Sequence, residues 1–155
     1  ALPGARAGRR LQEVLLEEDL GLSGEQRANL YLTVGRLLRK TGHLDQAVHH
    51  LHKAKQLVHP NYQAALELGK VHQDRRQHKL ALEQIEKAID MEPQEAEAYY
   101  QAGRVLKDLK SYDQAERMLR KASKLAPNDL KIHRQLGVLV TLNLVHGDSR
   151  KEAVR

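Results

Sequence analysis

The sequence predicts an all-α fold, a solenoid of antiparallel helix pairs, and three observations carry that expectation. Gly35, Gly69, Gly103 and Gly137 stand 34 residues apart, so four of the ten glycines share one register. At fixed distances after the first three of them come Ala47, Ala81 and Ala115, then Leu51, Ile85 and Leu119, then Ala54, Ala88 and Ala122. Pro93 and Pro127 each close a unit. Small residues at fixed points allow close helix crossings, bulky apolar ones fill the space between them, and Pro marks where a helix cannot continue. A period of this length with two amphipathic segments per unit is the pattern of a helical solenoid.

In chain order, residues 1–10 hold Arg6, Arg9 and Arg10 and no acid, which reads as a mobile basic tail. Without an initiator Met, a processed or excised chain is the expectation, and Arg-rich, acid-free starts also occur in organelle targeting segments. Residues 11–22 are expected to form a short amphipathic helix on Leu11, Val14, Leu15 and Leu16. Glu13 and Glu17 break the glycine register there, so this helix is a degenerate repeat or a cap over the first unit. Ser23 and Gln26 have the spacing of a capping box and start the next helix at Gly24 or Glu25. It ends near Lys40, before Thr41 and Gly42, and its partner spans 44–58. The following pairs are 62–75 with 79–91, and 95–109 with 112–125. Asn128 or Asp129 caps the last helix start.

The fourth unit departs from the pattern. If Ala153 is the counterpart of Ala115, four extra residues lengthen its first helix by about one turn. Leu136, Val138, Leu139, Val140, Leu142, Leu144 and Val145 leave that helix almost no polar face, and a helix apolar all round needs cover on more than one side. The expectation is a chain cut a few residues into a second helix. A second subunit is the other source of cover, with Val138 and Leu142 as the interface of a self-associating C-terminal end.

These columns resemble the tetratricopeptide repeat, whose signature runs W-x2-L-G-x2-Y, then A-x3-F, then P. At the Trp position this chain has Tyr31, Ala65, Tyr99 and His133, and at the Tyr position Leu38, His72, Leu106 and Val140. The resemblance covers about residues 25–155. It implies a right-handed α-solenoid within a repeat domain over 23–155. Three full repeats would occupy about 28–61, 62–95 and 96–129, with a partial fourth over 130–155.

Composition fits a single aliphatic, Ala-rich helical domain: 155 residues, 41% hydrophobic, without Phe or Trp. No apolar run approaches the roughly 18 residues of a membrane span. The absence of Cys excludes disulfides, thiol catalysis and cysteinyl metal sites. A net charge of +6 favours acidic partners. No compartment is named by the sequence; a soluble cytoplasmic protein is the default expectation and an organelle lumen the alternative.

The resemblance further implies that the first helix of each pair lines a concave surface on which ligands are held. Directly after the glycines stand Arg36, Lys70, Arg104 and Val138, and four after them Arg39, Gln73, Lys107 and Thr141. Those offsets share a helix face, giving a ladder of five cations that Glu67, Asp74, Glu97 and Asp108 dilute from neighbouring columns. Leu32, Leu66 and Tyr100 add an apolar strip, and Gln101 an amide. The expected peptide-binding set is therefore Leu32, Arg36, Arg39, Leu66, Lys70, Tyr100, Gln101, Arg104 and Lys107. It suits an acidic segment with apolar anchors. Local pairing, as of Arg104 with Asp108, is the competing use of these charges. A chaperone-tail clamp like that of some family members maps onto Leu32, Arg36, Glu67, Glu97 and Gln101. Two acids there would face the incoming carboxylate, so that client is not expected.

His49, His50 and His52 share a helix without a Cys or an aptly spaced acid to complete a site, so no metal is expected. His72 and His133 fall in core columns and read as hydrogen-bonded packing residues. No Gly-rich loop, paired carboxylates or Ser/His/acid set supports catalysis, and no cofactor is implied. The function expected is a non-catalytic protein-binding module or assembly scaffold for an acidic or amphipathic segment. RNA binding by the basic groove is the alternative, weakened by the shortage of stacking aromatics.

Overall fold

The second helix of each pair buries three residues, and in every pair they are the ones the 34-residue register names: Ala47, Leu51 and Ala54, then Ala81, Ile85 and Ala88, then Ala115, Leu119 and Ala122. The computed structural model describes residues 21–153 and the isolated positions Arg6, Arg9, Arg10 and Glu13, without the side chains of 147–153. Apart from those positions and Gly21 and Leu22, the basic tail and the helix expected over 11–22 lie outside the described residues. Among the described residues the fold is all-α, a solenoid of helical repeats. Its helices are α1 Gly24–Lys40, α2 Leu44–Leu57, α3 Tyr62–Asp74, α4 His78–Met91, α5 Ala96–Asp108, α6 Tyr112–Leu125 and α7 Leu130–Ala153. They belong to two compact units, Ala1–Met91 and Glu92–Arg155.

In the first unit α1 opens on the expected capping box: Ser23 Oγ accepts from Gln26 N at 3.2 Å and Gln26 Oε1 accepts from Ser23 N at 2.9 Å. Two orphan amides of the helix start are thereby satisfied. Leu32, Val34 and Leu38 of α1 meet the α2 triad and Ala64, Leu68 and Val71 of α3 in one aliphatic core. The glycines set how closely the helices pair. A Cβ built on Gly35 would stand 2.6 Å from Leu51 Cγ, and one on Gly69 2.5 Å from Ile85 Cγ1.

The second unit repeats that contact, with Leu119 Cγ 2.6 Å from a Cβ built on Gly103. Asp129 Oδ1 accepts from Lys131 N at 3.0 Å at the start of α7, which buries Ile132 and Leu139. Asn143 Nδ2 donates to Tyr112 O at 3.4 Å and to Glu116 Oε2 at 2.5 Å, and His146 stacks on Tyr112 with ring centroids 5.0 Å apart. Those contacts hold α7 along α6.

The turns within pairs also keep register. Gly42, Arg76 and Lys110, again 34 apart, have φ of 82°, 58° and 61°. After each, the next amide closes onto a carbonyl five residues back: His43 N to Leu38 O at 2.8 Å, Gln77 N to His72 O at 2.8 Å, and Ser111 N to Leu106 O at 2.9 Å. This is the left-handed C-terminal cap that most residues enter at a cost of about 1–2 kcal/mol. Arg76→Gly and Lys110→Gly are each expected to stabilise the protein by about 0.5–1 kcal/mol, because Gly's greater backbone entropy cost cancels part of the relief. Thermal unfolding of the single variants checks this, and no rise in Tm would contradict it.

The fourth register position of that series is Leu144, and there the helix does not stop. α7 continues to Ala153 without the turn expected before it. Burying an Ala–Leu–Ala triad offsets the left-handed residue in the other pairs. At the first of the corresponding positions here Ser149 replaces the Ala.

Candidate functional site

In the first unit the cations expected to face a ligand already have a counterion of their own. Glu67 on α3 is 4% exposed. Its Oε1 lies 3.1 Å from Arg36 Nε and 3.2 Å from Lys70 Nζ, and its Oε2 faces Arg39 Nε at 3.6 Å, an ion pair without a hydrogen bond. Arg39 Nη1 also reaches Asp74 Oδ2 at 3.1 Å, and Arg36 Nη2 donates to Gln63 Oε1 at 2.8 Å. Leu32 and Leu66 are buried and offer no apolar strip to solvent.

Three positions on α3 thus answer the basic residues of α1: Gln63, Glu67 and Asp74. Two repeats further on, the residues of α7 that answer α5 in the same register are Lys131, Gln135 and Leu142. Both acids have gone, one replaced by an amide and one by an apolar side chain. Lys107 Nζ accordingly donates to Gln135 Oε1 at 3.0 Å, and Arg104 Nη1 to Gln101 Oε1 at 3.4 Å.

Tyr100 lies between two of the cations, with Arg104 Cζ 5.9 Å and Lys131 Nζ 4.8 Å from its ring centroid. Both distances fall within cation–π range. The acid on this face is Glu97, which accepts from Lys131 Nζ at 2.5 Å and from Gln101 Nε2 at 2.8 Å. That hydrogen bond holds the Lys131 ammonium above the ordinary lysine range. Val138 is 42% exposed and Leu142 partly so. Tyr100 and Gln101, expected in the binding set, are 8% and 4% exposed and lie buried like Leu32 and Leu66, so the α5/α7 face presents three cations, the amide of Gln135 and the apolar side chains of Val138 and Leu142.

Lys131, Gln135 and Gln63 stand outside the expected peptide-binding set. The signal was available as opposite charges or amides 27–35 residues apart, about one repeat length, as in Glu97 with Lys131 and Arg39 with Asp74. Elsewhere in the first unit His52, Lys55, Gln56 and His59 line a shallow depression of about 390 Å³. Burial and then Lys55 hold His52 below the usual histidine range. Among the described residues no group of three or more His, Cys, Asp or Glu is placed to hold a metal. His72 Nδ1 is 2.9 Å from Gln77 Oε1, the packing role expected. His133 instead lies exposed, its Nε2 2.6 Å from Pro127 O, because nothing among the described residues covers its column. No described helix is long and apolar enough to cross a membrane.

The family of the anaphase-promoting complex, cyclosome, subunit 3 matches residues 42–122, just over half of the chain. No curated protein matches the sequence. Solved structures of the same fold include a MamA crystal structure (20% identity, 96% of this chain and 83% of that one, TM-score 0.77). A MamA fragment from Desulfovibrio magneticus RS-1 is 25% identical over 97% of this chain and 80% of its own, with a TM-score of 0.76. The first tetratricopeptide domain of Spaghetti (RPAP3), bound to the HSP90 peptide SRMEEVD, is 17% identical over 76% of this chain and 93% of its own, with a TM-score of 0.72.

Proposed function

The chain belongs to the tetratricopeptide-repeat family of the anaphase-promoting complex, cyclosome, subunit 3, a class of domain that mediates protein–protein interaction, and from that premise we propose that it holds an acidic partner segment on its α5/α7 face. One observation carries the reading: Gln135 and Leu142 stand where the first unit has Glu67 and Asp74. The ligand would supply the missing carboxylates. Its acids lie over Gln135 between Arg104 and Lys107, and an apolar anchor packs on Val138 and Leu142, while Lys131 stays paired with Glu97. Charge-assisted hydrogen bonds to Arg104 and Lys107 fix orientation, while the anchor supplies the apolar burial that exposed charges alone do not. The reading is non-catalytic and needs no cofactor. Arg36, Arg39 and Lys70 keep a structural role, since Glu67 already neutralises them.

The test is a titration of the full chain with an acidic peptide carrying two Leu residues, beside its Glu→Gln counterpart. Binding is expected for the acidic form, weakened at least tenfold by Arg104→Glu with Lys107→Glu. Gln135→Glu, which rebuilds the first unit's internal counterion, is expected to weaken it several-fold while leaving the fold intact. Equal binding of both peptides would refute the reading. Tighter, steeply salt-dependent binding of single-stranded RNA at physiological salt would replace it with a nucleic-acid function.

A further inference from the structure

In the first unit the end of α2, the turn after it and the end of α4 border two adjoining depressions. One is lined by His52, Lys55, Gln56 and His59, and the other, of about 430 Å³, by Lys55, His59, Lys87, Asp90 and Met91. Lys55 and His59 belong to both, so the two form one groove that joins at these side chains. The repeat itself does not call for such residues there. In the 34-residue register Lys55 becomes Ile89 and Ser123, His52 becomes Glu86 and Arg120, and His59 becomes Pro93 and Pro127. α2 also brings little negative charge to offset them, because its acid is Asp45 in the first turn, which pairs with Arg75 at 3.0 Å.

Lys55 is half-buried, and its ammonium donates to a neutral amide, Gln84 Oε1 at 3.3 Å, rather than to a carboxylate. Lys87 Nζ donates to Glu83 Oε1 at 2.8 Å. An ammonium has three N–H donors, so each lysine keeps two for a ligand. Burial and then Lys87 hold the Lys55 ammonium below the ordinary lysine range, against a smaller opposite pull from Glu83. Asp90 lines only the second depression, so positive charge concentrates where the two meet. We propose that this junction binds a phosphate dianion, held by Lys55 and Lys87 with the exposed rings of His52 and His59 as further N–H donors. A phosphate group offers three strong acceptor oxygens, enough to take charge-assisted hydrogen bonds from several of these donors at once, which the two oxygens of a carboxylate do less well. The site lies wholly in the first unit and does not depend on the reading of the α5/α7 face.

The probe is inorganic phosphate, titrated into the full chain at about pH 7.5, above its second pKa of about 6. Ionic strength is held constant with sodium chloride, and the ring C–H NMR signals of His52 and His59 are followed. Saturable shifts of both are expected. The affinity should fall at least tenfold in Lys55→Gln and several-fold in Lys87→Gln, and stay unchanged in Lys40→Gln, which removes an exposed charge at the end of α1. Gln at position 55 can still hydrogen-bond Gln84, and circular dichroism would verify that each variant is folded. A short phosphoserine peptide identifies the source of the dianion: binding tenfold tighter than that of the ion assigns it to a phosphorylated protein, and equal or weaker binding to free phosphate. Shifts that rise linearly without saturating, or a saturable response undiminished in folded Lys55→Gln, would overturn the proposal.

Discussion

Gly103→Leu is expected to lower stability by about 3 kcal/mol or more, whereas the same change one register step on, Gly137→Leu, raises it. At Gly103 the new side chain enters space held by Leu119, whose Cγ and Cδ2 lie 2.6 and 3.0 Å from the first added carbon, with Ala115 O at 3.3 Å behind them. Leu119 is fully buried and has nowhere to move. Overpacking by a few methylenes costs about 1–3 kcal/mol, and a whole isobutyl group at such a crossing exceeds that range. Helix propensity returns only about 1 kcal/mol. At Gly137 the propensity gain stands alone, since no heavy atom of the described residues lies within 4 Å of the added Cβ. Thermal melts of both variants should move in opposite directions, by a large fall and a small rise. A fall at both positions would show that Gly137 is packed.

Glu67→Gln is expected to cost about 2 kcal/mol and to make the protein's stability respond to added anions. The change keeps the side chain's shape and removes the charge that Arg36, Arg39 and Lys70 share. Removing one partner of a buried ion pair costs about 3–5 kcal/mol. The three cations here retain 40%, 23% and 19% side-chain exposure, and solvation recovers part of that loss. An anion that binds the folded variant then restores stability by mass action. The measurement is Tm against sulfate concentration, with sodium chloride at matched ionic strength as the control. A variant no less stable than wild type would show that Glu67 does not hold the three cations together.

The register was fully legible. Every buried Ala–Leu–Ala or Ala–Ile–Ala triad, the capping box at Ser23, the helix start after Asp129 and the stop at Gly42 follow from residues within one or two turns of each other. The charge pairs were only half legible. Arg36, Lys70 and Arg104 occupy one column and look alike, yet Glu67 neutralises the first two while Arg104 meets an amide and an aromatic ring.

The amino-acid sequence by itself determined the helix pairs and which residues fill them, because each pair buries a pattern set by its own 34-residue period. Tertiary structure alone decided which cations are satisfied internally, that α7 runs to Ala153 without a turn, and that no described residue packs over Gly137. Those outcomes depend on ångström-scale distances between helices a repeat apart, where a change of one side chain from Glu67 to Gln135 alters the partner without altering the period.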